Sequence, residues 1–259
     1  DTREVKQALR FETAVAPEQF SVNQLRWVNV SPKGDKTVYS ALGYLYMRDM
    51  KSGEVKRLTK QETHFELFPK FSPDGQSLVY TTWNDQVFGS VRSLDLKTMK
   101  EKTITKVPSK YLDPSISPDG KTVVYVKARG GRLTTPWQGM EYGVFAASMN
   151  GSGNAQLITE DGSNPQFGAE SDAVYLTRTK YTGEVDWNTS LVRVKLDRTE
   201  ESAVARGEFV SQFSISPDGK WLAFNERFHA FVTPMPLVGK AISVGSKMDA
   251  MPVRQLDVN

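Results

Sequence analysis

Short runs of alternating apolar and polar residues, each ended by a turn sequence, recur along the whole chain. Leu45–Met50 is one such run, and a second at Val55–Thr59 follows a turn at Lys51–Glu54. A two-residue period is typical of a β-strand with one buried face, and no convincing 3.6-residue period predicts a helix. The same strand–turn–strand shape returns at Val91–Thr105, Val144–Thr159, Leu191–Ala205 and Ala230–Val244.

A turn motif, Ser-Pro-Asp-Gly, recurs with the same period and precedes these hairpins. Proline presets φ, aspartate bonds nearby backbone amides, and glycine takes the positive φ that side chains resist. An apolar run ending in an aromatic residue follows each turn. The motif stands at 72–75, 117–120 and 216–219, with a looser copy at 31–34 and a decayed one at 168–171, and the aromatic residues are Tyr39, Tyr80, Tyr125, Tyr175 and Phe224.

The repeat predicts an all-β propeller of four-stranded blades. One strand precedes the turn, one follows it, and the hairpin adds two; such small sheets bury both faces by stacking around an axis. A period of 40–50 residues fits this architecture. We expect one domain over 1–259: an N-terminal strand segment at 1–23, repeats at about 24–60, 65–106, 110–160, 163–207 and 209–248, and at 249–259 the start of an incomplete sixth blade, beginning with Val253–Val258.

The Ser-Pro-Asp-Gly turn together with the Leu45–Thr59 hairpin resembles the TolB-like, WD-repeat-related propeller repeat. The five copies cover residues 24 to about 248. This resemblance specifies the fold strongly and the function weakly, because such propellers serve many roles.

The two ends of the chain resemble the propeller that precedes the catalytic domain of large bacterial amidohydrolases. The resemblance implies a periplasmic or exported multidomain hydrolase, of which this chain is the non-catalytic part. It lies in Leu9–Glu12, Leu25–Val28 and Ala41–Gly43, and in Glu226–Phe228, Gly239–Lys240 and Met251–Val253.

Composition narrows the function classes. The 33 basic and 30 acidic residues give a net charge of +3 without a basic block, so nucleic-acid binding is not indicated. No apolar run has the roughly 18–20 residues of a membrane span. Cysteine is absent, and His64 and His229 are the only histidines. An amidohydrolase metal centre needs several histidines, so we expect no metal, no cofactor and no catalytic residue in this chain.

Other catalytic signatures are also missing from the sequence. There is no Gly-x-Ser-x-Gly nucleophile elbow, no phosphate-binding loop and no dinucleotide fingerprint. Asp74, Asp119 and Asp218 stand one per turn on separate blades, whereas calcium loops cluster their ligands within about a dozen residues. We therefore interpret these aspartates as turn formers.

A candidate binding surface lies on the face that carries the longer, irregular loops. Aromatic and arginine side chains on loops of a rigid scaffold are typical of binding sites. Arg129 and Arg132 beside two glycines suit carboxylate recognition. The candidate binding residues are His64, Trp83, Asp85, Arg129, Arg132, Trp137, Tyr181, Asp186, Trp187 and Arg227.

Three functions remain open. The first is an accessory propeller that packs against a hydrolase domain in cis and controls substrate access. The second is a free-standing periplasmic propeller that binds a protein or peptide partner. The third is a propeller lyase or glycosidase, for which Glu141, Glu184 and Asp186 are candidates by loop position alone.

Overall fold

The chain folds into five antiparallel sheets that follow one another along the sequence. The structure, a computed structural model, describes residues 2–6, 8, 18–128, 141–181, 187–237 and 239–257. All regular structure among these residues is β-strand, and the first three blades each contain four strands in chain order. Their strands are β1 (Arg26–Val30), β2 (Lys36–Ala41), β3 (Tyr44–Asp49) and β4 (Val55–Arg57); β5 (Phe65–Phe71), β6 (Ser77–Trp83), β7 (Val91–Asp95) and β8 (Glu101–Thr103); and β9 (Tyr111–Ile116), β10 (Thr122–Lys127), β11 (Gly143–Ser148) and β12 (Gln156–Thr159).

The fourth and fifth blades have the same plan as the first three, except at their outer edges. A short strand from beyond the fifth hairpin adds to the fourth blade, which becomes a five-stranded sheet. The predicted propeller of four-stranded blades is confirmed. The fourth blade contains β13 (Ser163–Gln166), β14 (Ala173–Tyr181), β15 (Trp187–Lys195), β16 (Glu201–Glu208) and β20 (Ile242–Ser243), and the fifth contains β17 (Val210–Ile215), β18 (Trp221–Glu226), β19 (His229–Pro234) and β21 (Arg254–Gln255).

The outer strand of the fifth blade differs from the sequence interpretation. The hairpin predicted over Ala230–Val244 does not close: Ile242–Ser243 pairs in parallel with β16 of the fourth blade. Arg254–Gln255, expected to begin a sixth blade, pairs with β19 as the fourth strand of the fifth. Pro234 ends β19, and Pro236 follows it without a backbone N–H that a directly returning strand could use.

Four hydrophobic clusters join the five blades in series. Each lies between consecutive blades, because the two faces of a blade pack against different neighbours. The cluster between the first two blades, for example, contains Val38 and Leu45 from one side and Leu78 and Tyr80 from the other. Equivalent clusters join the second to the third, the third to the fourth and the fourth to the fifth blade.

Within the described part of the chain, no fifth cluster joins blade five to blade one. The inner-strand residues one and three positions before the turn serine show the difference. Phe213 and Ile215 of the fifth blade are 0% and 9% exposed against the fourth blade, whereas Val28 and Val30 of the first are 54% and 55% exposed. The described residues therefore leave uncovered the gap between blades five and one, which we call the seam.

Side chains also bind neighbouring blades together near the propeller axis. The amide of Phe71 donates to Oδ1 of Asn29 on the preceding blade at 2.9 Å. The amide of Ile215 donates in the same way to Oε1 of Gln166 at 3.1 Å. An inner strand exposes one edge of its backbone to the channel, and these side chains satisfy part of that edge.

Candidate functional site

The connections of the propeller divide into two faces. The Ser-Pro-Asp-Gly turns and the hairpin turns lie on one side, which we call the turn face. Because the strands alternate in direction, the connections between the second and third strands of each blade, and those between consecutive blades, lie on the other side, the loop face. The described loop-face connections include 42–43, 58–64, 84–90, 104–110 and 227–228.

The carboxylates of the turn face are satisfied within their own turns. Ser72 Oγ donates to Asp74 Oδ1 at 2.5 Å, and the amide of Gln76 donates to the same oxygen at 2.9 Å. The hydrogen bond from Ser72 holds the pKa of Asp74 below its usual range. Asp119 and Asp218 have the same arrangement, which agrees with the turn-forming interpretation of these residues.

The loop face carries seven of the exposed large apolar side chains. They concentrate at the rim of the first two blades, where Phe65 contacts Gly43 so closely that a Cβ there would lie 2.3 Å from the phenyl ring. Such a cluster is typical of an interaction surface. Leu42, Phe65, Val87 and Phe88 form what we call the rim patch, and Val107, Phe209 and Phe228 are exposed elsewhere on the same face.

Three of the predicted site residues come together beside the rim patch. Trp83 ends β6, donates from Nε1 to Asp85 Oδ1 at 2.8 Å, and has its ring 5.9 Å from that of Phe88. His64 lies half-buried in the connection from blade one, with Nδ1 3.0 Å from Thr63 Oγ1. Burial lowers the pKa of His64, and the positive charge of Arg92 lowers it further, so its neutral form is favoured.

The loop between β6 and β7 is held rigidly. Oδ1 of Asn84 accepts the amides of Gln86 and Val87, and its Nδ2 donates to the carbonyl of Thr63. Gly89 exchanges two backbone hydrogen bonds with Ser109 of the next connection. A Cβ at Gly89 would lie 2.4 Å from the carbonyl oxygen of Thr82, so only glycine permits this close approach.

This loop forms one wall of a cavity of about 490 Å³ on the loop face of blade two. Val87, Phe88 and Pro108 give it an apolar side, and its lining also contains the two cations Arg92 and Lys106. Hydroxyl groups contribute most of the remaining polar surface. They belong to Thr63, Thr82, Ser90, Thr103 and Thr105.

Arg227 lies apart from this cluster, on the fifth blade. It occupies the turn between β18 and β19 with φ +56°, and its guanidinium carbon lies 5.0 Å from the ring centre of Phe209. A cavity of about 650 Å³ adjoins it and contains both Glu208 and Glu226. The structure therefore divides the described candidates between two places, the rim of blade two and the edge of blade five.

The remaining predicted residues fall outside what the structure describes. Tyr181 and Trp187 are paired in register at the end of the β14–β15 hairpin, but their side chains are not described. Arg129, Arg132, Trp137, Asp186 and Glu184 lie outside the described residues. Glu141, the other candidate for catalysis, lies 3.5 Å from Nζ of Lys127 in an exposed ion pair.

Sequence reasoning missed the apolar and cationic parts of the blade-two site. The adjacent pair Val87-Phe88 stands in a loop between two strands, and an apolar pair in a turn-rich segment is the signal that would have marked it. Arg92 and Lys106 gave no comparable signal, because they lie on a strand and in a connection that only the fold brings together.

The inner strands around the propeller axis share an unusual backbone conformation. Each of the first four inner strands has a residue with positive φ at the same repeat position: Trp27, Phe68, Asp113 and Asn164. The rings of Trp27 and Phe68 are in contact, with centroids 4.2 Å apart. Burial raises the pKa of Asp113 and lowers that of Lys70 on the neighbouring blade.

Neither a metal cluster nor a membrane-spanning helix occurs among the described residues. Among the described residues, no three histidine, aspartate or glutamate side chains group so that they could hold a metal ion. Within the same part of the chain, no helix has the length and apolar character needed to cross a membrane.

Comparison with known structures finds the same propeller fold in TolB proteins and in an oligogalacturonate lyase. TolB from Acinetobacter baumannii aligns with a TM-score of 0.62 at 18% identity, over 82% of this chain and 52% of that one. A putative TolB from Agrobacterium tumefaciens aligns with a TM-score of 0.66 at 17% identity, over 90% and 80%. An oligogalacturonate lyase from Vibrio parahaemolyticus aligns with a TM-score of 0.60 at 13% identity, over 88% and 63%.

These identities establish the shared fold alone, and the chain spans about half the length of the Acinetobacter protein. The amidohydrolase resemblance of the chain ends is not confirmed by any of these matches. A family model described as the TolB beta propeller domain matches residues 27–232, most of the chain. The chain therefore belongs to the TolB beta propeller domain family.

Proposed function

We propose that this propeller is a protein-binding module that takes a segment of its partner on the loop face at blades one and two. The observation that carries the proposal is the rim patch, in which Leu42, Phe65, Val87 and Phe88 expose apolar side chains at the loop-face ends of the first two blades. The loop beneath the patch is rigid, so binding requires little ordering of this surface. The periplasmic or exported location implied by the amidohydrolase resemblance of the chain ends is part of the proposal.

Site-specific cross-linking tests this function on a single blade. A photoreactive amino acid replaces Val87 on the loop face, and in a control it replaces Met99 on the turn face of the same blade; both positions are exposed. In a periplasmic extract we expect a defined cross-linked protein from position 87 alone. A Phe65→Ser change should abolish that product, because it removes a central side chain of the rim patch. Equal cross-linking at both positions, or none at position 87, would contradict the proposal.

The partner can be a separate protein or a domain of the same polypeptide. The family match supports a free-standing TolB-like protein, and the resemblance of the chain ends supports an amidohydrolase domain in cis; both would use the same face. The native coding sequence separates the two proposals, since a hydrolase domain adds a histidine-rich segment with a His-x-His pair. A lyase or glycosidase function has no supporting geometry around Glu141.

We also propose that the seam accommodates a further blade, which would complete a six-bladed ring. The support comes from Val28 and Val30, whose apolar side chains are exposed. In the later blades, the preceding blade covers the side chains at the equivalent positions. The inner-strand amides of Phe71 and Ile215 receive a side-chain acceptor from the preceding blade. A blade in the seam would supply the equivalent acceptor to Val30.

A further inference from the structure

The cavity on blade two has a charge character that the rim patch alone does not explain. Among the described residues, its lining contains Arg92 and Lys106 and no carboxylate. Arg92 is held by Ser90 Oγ at 3.1 Å and by Glu101 Oε2 at 3.3 Å, and Glu101 itself stands outside the lining. The blade-five cavity differs, because two glutamates line it.

Lys106 is the more available of the two cations. It is exposed, and no carboxylate lies within ion-pair distance of it among the described residues. The hydroxyls and amides around it are fixed: Thr82 Oγ1 lies 2.9 Å from Ser90 Oγ, and Thr105 Oγ1 accepts the amide of Val91 at 2.9 Å. Preorganised hydroxyls beside two cations suit an anionic group that accepts several hydrogen bonds.

His64, which lines the cavity, has an unsatisfied polar atom. Nε2 of His64 is buried and has no hydrogen-bond partner in the described structure. Buried polar atoms are nearly always hydrogen-bonded, so an orphan atom here is a position where a ligand or a water is expected. This observation is independent of the charges of Arg92 and Lys106.

We infer that this cavity binds an acidic side chain of the partner segment, with a neighbouring apolar side chain of the same segment packed on Val87, Phe88 and Pro108. The inference rests on the proposed function, which it deepens by naming the chemistry of the partner. The apolar wall and the cationic floor lie within one cavity, so a short stretch with adjacent apolar and acidic residues reaches both. Arg92 and Lys106 recognise the carboxylate, and the loop at Asn84–Gly89 sets the distance between the two subsites.

Two matched peptides test the inference on the whole chain. The probes are acetyl-Phe-Asp-Glu-Leu-amide and its neutral counterpart acetyl-Phe-Asn-Gln-Leu-amide, each titrated into the isotope-labelled protein and followed by amide chemical shifts. We expect the acidic peptide to bind about tenfold more tightly and to shift the amides of Val87–Ser90 and Lys106. Added salt should weaken the acidic peptide selectively, because ions screen this exposed pairing.

Variants identify the residues responsible. Lys106→Gln should bring the affinity of the acidic peptide close to that of the neutral one, and Arg92→Gln should weaken it as well. Lys102→Gln is the matched control: Lys102 is exposed on β8 of the same blade and does not line the cavity. Equal binding of the two peptides, or an equal loss in the Lys102 variant, would overturn the inference.

Inorganic phosphate is the third probe. If phosphate displaces the acidic peptide as effectively as an excess of the peptide itself, the cavity is a small-anion site and the inference fails. The outcome is separable from the proposed function. A protein that cross-links at position 87 but does not discriminate between the peptides retains the rim patch as its binding surface and loses only the acidic subsite.

Discussion

A single buried carboxylate connects blade one to blade two. Glu66 is fully buried in β5. Its Oε2 accepts the amide of Leu45 at 2.9 Å and the hydroxyl of Thr59 at 2.7 Å. Both donors belong to blade one, so the carboxylate satisfies part of the neighbouring sheet.

Glu66→Ala should therefore destabilise the protein by about 2–3 kcal/mol, because it leaves two buried donors without an acceptor. Glu66→Gln should lose less, since the amide oxygen still accepts. The measurement is the free energy of unfolding in urea, with Glu62→Ala, an exposed glutamate of the same connection, as the control. A Glu66→Ala midpoint equal to that of the control would show that these hydrogen bonds contribute nothing.

The turn residues show what sequence predicts well and where it stops. The roles of Asp74, Asp119 and Asp218 followed from the motif because every contact lies within a few residues. In the first blade, lysine stands at the aspartate position, and Asp35 accepts the hydroxyl of Ser31 at 2.7 Å instead. The serine hydroxyl of this turn therefore donates to an aspartate at a different position. A motif defined by residue spacing does not identify that aspartate.

At the scale of elements, the hairpins of the first four blades were predictable, whereas the fifth hairpin and the longer-range pairing were not. A tight turn brings adjacent strands together whatever the rest of the chain does. β20 and β21 have no such constraint, and each pairs with a strand that is distant in sequence. Arg92 and Lys106 converge for the same reason, so the blade-two cavity was visible in the sequence only through His64, Trp83 and Asp85.

The tail strand is held by one aspartate. Asp257 Oδ1 accepts the amide of Ala230 at 3.0 Å, its Oδ2 lies 3.2 Å from Nδ1 of His229, and the amide of Leu256 donates to the carbonyl of Ala230. Asp257→Ala should speed hydrogen exchange at Leu256 several-fold, corresponding to roughly 1 kcal/mol of lost local stability. Asp249→Ala, at an exposed aspartate of the preceding loop, should leave that rate unchanged; matching rates in the two variants would contradict this assignment.

At the scale of the whole molecule, the open seam predicts unequal effects at equivalent repeat positions. Ile215→Ala should cost about 2–4 kcal/mol, because it removes a side chain packed against the fourth blade. Val30→Ala, at the same position of the first blade, should change stability by less than about 0.5 kcal/mol, as for an exposed site. Urea unfolding of both variants measures the difference. Comparable losses would mean that blade one is covered in solution.

The series of four inter-blade clusters gives the molecule two ends in space. Blades two to four each have two neighbours, whereas blades one and five have one, so the array resembles a linear chain of coupled repeats. We therefore expect the terminal blades, each with a single neighbour among the described residues, to be the least stable repeats. An occupant of the seam would turn both ends into interfaces at once. Its binding free energy would therefore add to the stability of all five blades, because they are coupled to one another.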